Sequence, residues 1–283
     1  MKLFYSSQCI NYSLPAHPES PDRIHSTFEY LKEKGYLFDK PEPCSEEDIL
    51  RVHSKTHLRG IQTETSSDYD TPAIPHIIDY ARLAAGSAIC ASEIAQRGET
   101  GFSLMRPPGH HATRQRVMGF CYLNNMAIAV AKYISENPNK KAAILDIDCH
   151  HGNGSEDIFL GNPHILYISL HQSPLYPGTG LESRDNCINF PLPPGTEESI
   201  YLKTLTTACQ KIAHFNPSLL GISVGFDTYR GDPLTQFGLD ISSYSKIGEM
   251  IQGLKKPIFA VMEGGYSKDL PHCVAEFIKG LDR

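Results

Sequence analysis

Short apolar runs, several rich in β-branched residues, recur along the chain at residues 2–5, 102–105, 142–147, 165–170, 219–224 and 258–262. Each is continuous and does not alternate apolar with polar positions. That is what a strand needs when both of its faces are covered, as in a parallel sheet. Between the runs the hydrophobic period changes to that of a helix, at residues 77–95, 125–135, 199–215, 242–253 and 270–281. Strand and helix in alternation predict an α/β fold on a mostly parallel sheet. No repeat, low-complexity tract or Gly/Ser/Pro-rich linker interrupts the pattern, so residues 1–283 are expected to form one domain.

Composition narrows the function classes. A hydrophobic share of 40% against a charged share of 20% supports a core and excludes wholesale disorder. The 26 basic and 32 acidic side chains leave a net charge of −6, which argues against a dedicated nucleic-acid binder. No apolar stretch approaches the roughly 20 residues of a membrane span, so no membrane partner is expected. The N-terminus has one lysine and turns polar at Ser6-Ser7-Gln8, unlike a signal peptide. Eight cysteines include no Cys-x-x-Cys pair, the pattern of a reduced intracellular protein and not of a disulfide framework or a structural zinc finger. Among 13 histidines two adjacent pairs stand out, His110–His111 and His150–His151.

The chemistry-bearing residues follow the predicted strands. Arg106-Pro-Pro-Gly-His-His follows the second run and Asp146-Ile-Asp-Cys-His-His-Gly closes the third. Ser169-Leu-His, Gly225-Phe-Asp and Glu263-Gly-Gly-Tyr end the remaining three. Open α/β sheets bind ligands in the crevice beyond the carboxyl ends of their strands, so five polar clusters at five such ends predict one shared site.

Asp146, Asp148 and His150 are spaced by two, which on a strand would put all three on one face. Asp148 and His150, joined by Asp227, offer a divalent ion two carboxylates and an imidazole, with positions left open for water and substrate. The set suits zinc, and its oxygen-rich composition also accepts iron(II) or manganese. Alone, Asp-x-Asp-x-His also reads as a solvated loop. His110 and His111 follow the rigid Pro107-Pro108-Gly109 turn and can serve as general base and acid, with Asp146 and Asn153 as candidate orienters. A His-His pair without such neighbours is more often structural. Tyr266 can donate to a developing oxyanion or simply close a Gly-Gly turn. No Gly-x-Gly-x-x-Gly or Walker pattern accompanies Gly264-Gly265, which excludes a nucleotide loop.

Taken together the motifs resemble the zinc-dependent histone deacetylases of class II type, in the arginase/deacetylase superfamily. They read HPESPDRI (17–24), RPPGHHA (106–112), GFCYLNN (119–125), DIDCHHGNG (146–154), SLH (169–171), YPGTG (176–180), GFDTYRGDP (225–233) and EGGY (263–266), in family order. The resemblance implies a single-domain fold on an eight-stranded parallel sheet, and hydrolysis of an N-acetyl amide to amine and acetate by a metal-activated water. It implies zinc on Asp148, His150 and Asp227. It makes His111, backed by Asn153, the base and later the acid, with His110 on Asp146 as electrostatic partner and Tyr266 on the oxyanion. Substrate contacts carry over onto Asp70, Phe120, Tyr176, Leu234 and Gly265, with Arg23 near an internal acetate exit. Tyr176 stands where relatives usually have phenylalanine, and Asp70 also reads as a turn cap. A structural potassium would lie beneath the zinc on Asp146, Asp148, His150, Ser169 and Leu170, mostly through backbone carbonyls.

Arginase-like relatives need ligands for a second manganese, and Thr228-Tyr229 replaces the expected carboxylate. Polyamine-preferring class II relatives carry glutamate where this chain has Leu234, so the expected substrate is an acetyl-lysine protein or peptide. An acetylated small amine or a longer acyl group is the alternative. A non-catalytic reader would have lost a ligand, a histidine or the tyrosine, and all are present. Family analogy places the enzyme in a bacterial cytoplasm.

Overall fold

The computed structural model describes residues 1–282. Eight strands form one parallel sheet: β1 (Lys2–Phe4), β2 (Phe38–Asp39), β3 (Gly101–Ser103), β4 (Ala142–Asp146), β5 (Ile165–Gln172), β6 (Cys187–Leu192), β7 (Leu219–Val224) and β8 (Ile258–Met262). Their spatial order is β2-β1-β3-β8-β7-β4-β5-β6. The central strands are apolar throughout because each face meets its own core. Leu145, Ile168, Ile222 and Ala260 point into one cluster, while their neighbours Ile144, Tyr167 and Phe259 point into the other. The period of two is present, hidden because neither face meets water.

Helices α1 (Pro21–Glu33), α7 (Glu198–Phe215), α8 (Ile241–Gln252) and α9 (Leu270–Leu281) cover the first face. On the second lie α2 (Glu46–Leu50), α3 (Lys55–Gln62), α4 (Ile77–Gln96), α5 (Asn125–Glu136) and α6 (Asn153–Phe159). The alanine-rich α4 lies against backbone: a methyl at Gly86 would come within 1.9 Å of Glu42 O. All eight cysteines are free. Burial pushes their thiols up in every case, to about 12 for Cys9, Cys44, Cys187 and Cys273. Among the described residues no helix is long and apolar enough to cross a membrane.

Two placements differ from the sequence expectation. The strand carrying Asp146 stops there, so strand alternation does not align Asp148 and His150 with it. Instead Asp146 Oδ1 accepts from Asp148 N at 3.2 Å and Asp148 Oδ1 accepts from His150 N at 2.9 Å. Each carboxylate caps the backbone two residues on and coils the segment. Ser169 and His171 lie inside β5, which runs on to Gln172, and not beyond its end.

Candidate active site

The strands β3, β8, β7 and β4 are neighbours, and the segments leaving their carboxyl ends carry the two histidines, Tyr266, Asp227 and the Asp148/His150 pair. The side chains of His110, His111, Asp148, His150 and Tyr266 line one cavity of about 240 Å³ with Asp70, Phe120, Tyr176 and Leu234 on its walls, and Asp227 stands behind His150. His150 Nδ1 lies 2.8 Å from Asp227 Oδ2 and 3.1 Å from Asp148 Oδ1. One ligand atom from each of the three falls within 4.8 Å of the others. Ligands about 2.0–2.2 Å from one tetrahedral zinc lie roughly 3.3–3.6 Å apart, so the triad needs little adjustment to hold one.

Other atoms of both carboxylates are tied by backbone N–H groups, Gly264 N to Asp148 Oδ2 and Cys149 N to Asp227 Oδ1, both at 2.8 Å. Glycines make the room: a methyl at Gly225 would meet Asp148 Oδ2 at 2.2 Å, and one at Gly264 would meet Asp227 Oδ2 at 2.6 Å. Burial and the neighbouring Asp148 push Asp227 up to about 7, whereas His110 and His150 hold Asp148 well below the carboxylate range against its burial. Two buried carboxylates this close call for a cation between them.

The paired histidines are held differently. His110 Nδ1 lies 3.1 Å from Asp146 Oδ2; burial alone would lower the imidazole, but Asp146 and Asp148 raise it to about 10. His111 Nδ1 lies 2.8 Å from Asn153 Oδ1, and burial together with His110 and His150 holds this ring well below its ordinary value. Donation to an amide oxygen leaves the hydrogen on Nδ1 and makes Nε2 the basic nitrogen. The His111 ring meets the Tyr176 ring edge-on at 5.3 Å, and Phe120 meets Tyr266 at 5.9 Å.

Arg23 stands behind the wall, donating to Glu263 O and Gly265 O at 2.6 Å each, with its guanidinium 4.5 Å from the Tyr266 ring. Gly264 lines the cavity, while the carbonyl of Gly265 is taken by Arg23. Ser169 Oγ lies 2.9 Å from His171 Nδ1, and the Leu170 side chain belongs to the core. Buried acids that motif reading left without a role organise the loops. Glu263 Oε2 accepts from Gly109 N at 2.7 Å and His110 N at 3.2 Å, joining the histidine turn to the tyrosine segment. Asp232 accepts from Tyr266 N at 2.7 Å and Leu234 N at 2.9 Å. Glu19 pairs with the fully buried Arg106 at 2.7 Å. Each lies inside one of the motifs named above, and only Glu263 carried a positional signal, a charge directly after an apolar strand.

The histone deacetylase domain model matches residues 17–281. The chain belongs to the histone deacetylase family. A probable deacetylase of Methanothermobacter thermautotrophicus is 39% identical over 100% of this chain and 91% of its own length. The crystal structure of the HDA15 HD domain superposes with a TM-score of 0.91 at 30% identity, covering 99% of this chain and 90% of that one. Acetylpolyamine aminohydrolase from Burkholderia pseudomallei gives 0.90 at 26% identity, covering 99% and 97%. This histone deacetylase family member is therefore a deacetylase/amidohydrolase-type enzyme, from a family that is generally zinc-dependent.

Proposed function

We propose that the protein is a zinc-dependent deacetylase that hydrolyses the N-acetyl amide of acetyl-lysine in proteins or peptides, working as a single catalytic domain in the cytoplasm. The carrying observation is that Asp148, His150, His111 and Tyr266 line one cavity, with Asp227 completing the ligand triad and Asn153 holding His111 from behind. Asp148, His150 and Asp227 would hold the zinc, which when bound would supply a Lewis acid for the amide carbonyl and for water; iron(II) would fit the same donors. His111 Nε2 takes the proton of the attacking water and returns it to the departing amine nitrogen. His110, kept protonated by Asp146, adds fixed positive charge beside the developing anion. The Tyr266 hydroxyl donates to the oxyanion. Phe120 and Tyr176 flank the acyl-lysine stem, and Asp70 meets the substrate at the mouth. Potassium through Asp146, Asp148, His150, Ser169 and Leu170 belongs to the same proposal. His171 Nε2 faces Gly180 O, so its Nδ1 accepts from Ser169 and the Ser169 oxygen keeps lone pairs for a cation.

An acetylated polyamine is the second reading, favoured by the likeness to acetylpolyamine aminohydrolase. Against it, the position that polyamine-preferring relatives fill with glutamate is here Leu234, apolar and 38% exposed on the cavity wall. The test is kcat/KM of the zinc-loaded protein on an acetyl-lysine peptide beside N-acetylputrescine and N-acetylspermidine. Peptide preference supports the first reading, polyamine preference the second. Inactivity on all three, and on longer acyl-lysines, rejects both.

A further inference from the structure

The mouth of the cavity is built from two tight turns docked together. Residues 118–121 form one, with Met118 and Cys121 exchanging backbone hydrogen bonds at 3.2 and 3.0 Å. Its central residues, Gly119 at φ +57° and Phe120 at φ +67°, are both left-handed, the pattern of a type I′ turn. Phenylalanine has no intrinsic preference for that region, so its surroundings must hold it. Gly119 cannot be replaced either: a methyl there would meet His111 Cδ2 at 2.3 Å. The second turn, residues 68–71, is closed by bonds between Asp68 and Thr71 at 2.9 and 3.3 Å.

The outward amides of the first turn are satisfied by the second. Gly119 N donates to Asp70 Oδ1 at 3.1 Å and Phe120 N to Thr71 Oγ1 at 2.8 Å. The same Thr71 hydroxyl donates to Asp70 Oδ1 at 2.9 Å, and Thr71 is fully buried. We infer that Thr71 is a positioning residue that sets substrate binding: its hydroxyl pins the Phe120 wall to the Asp70 rim. With Oδ1 occupied by two donors, Asp70 presents its other oxygen to the substrate. The kinetic part of this inference rests on the deacylase reading; the pin itself does not.

Two measurements on Thr71→Val, which removes the hydroxyl while keeping the shape, separate these parts. Hydrogen exchange of a peptide covering residues 117–122 needs no substrate. It is expected to quicken at least tenfold in Thr71→Val and to return to near the wild-type rate in Thr71→Ser. Unchanged exchange in the valine variant overturns the pin. On the acylated amine that the wild type turns over best, Thr71→Val is expected to raise KM about tenfold while kcat stays within about threefold, because uniform binding is what is lost. Thr71→Ser should recover most of that KM. Faster exchange with an unaltered KM, or a fall in kcat alone, overturns the role in binding. If the valine variant is too unstable to purify, Thr71→Ala and Thr71→Ser carry the same comparison. Absence of wild-type turnover on every acylated amine defeats the deacylase reading and the binding role with it, while exchange still decides the pin.

Discussion

In the proposed mechanism His111 and Tyr266 do different work from the Asp148/His150/Asp227 triad, and substitution should separate them. Tyr266→Phe and His111→Ala are each expected to lower turnover at least about a hundredfold while the purified protein keeps its zinc. Asp148→Ala should lose the metal, read directly by elemental analysis. Near-normal turnover in either of the first two would remove the role assigned to it. These residues were legible in the sequence because the chemistry requires their types at those spacings. Glu263, Asp232 and Thr71 were not, although all three are buried against the site. Their work is to accept backbone N–H groups from segments far along the chain, Glu263 from Gly109 across 154 positions. Any residue type can supply a backbone amide, so such a partnership leaves no mark at the donor position.

Elements were legible where burial is complete. The strands at residues 219–224 and 258–262 and the helix at 270–281 fall where the pattern put them. The edge strands escaped: β2 has two residues, and β6 mixes buried with exposed positions and includes Asn189 and Pro191. Helix α1 escaped because its inward face carries Arg23 and Thr27 beside Ile24 and Leu31, which breaks the apolar period. In α4 local preference and packing disagree outright. Helix propensity predicts that Gly86→Ala gains ~1 kcal/mol, whereas overlap of the new methyl with a backbone carbonyl costs about 1–3 kcal/mol. The contact at 1.9 Å decides for packing, so chemical denaturation of Gly86→Ala should show a net loss of stability.

For the molecule as a whole, acid is the expected weak point. His53 is buried 4.5 Å from His57 in a stacked pair, and burial with that neighbour lowers it to about 3. Burial and His151 lower His171 likewise to about 3. Both are neutral in either state above the ordinary value of about 6.5 and contribute nothing there. As pH falls below that value, the unfolded chain takes up protons that the folded chain refuses. Each histidine then removes about 1.4 kcal/mol per pH unit, until the pH reaches its folded-state value. Unfolding free energy measured from pH 7 down to 4.5 should fall with a slope that His53→Asn lowers by one proton; an unaltered slope would show that His53 titrates normally. The cysteines have a further consequence. With every native thiol raised by burial, an aromatic disulfide reagent is expected to react slowly with the native protein, first at the partly buried Cys90 and Cys209, and fully only on denaturation. A cysteine introduced at Leu181, which is 62% exposed, would then be the preferred labelling position for a fluorophore. Optical reporting from such a label should then require at most the partly buried Cys90 and Cys209 to be replaced first.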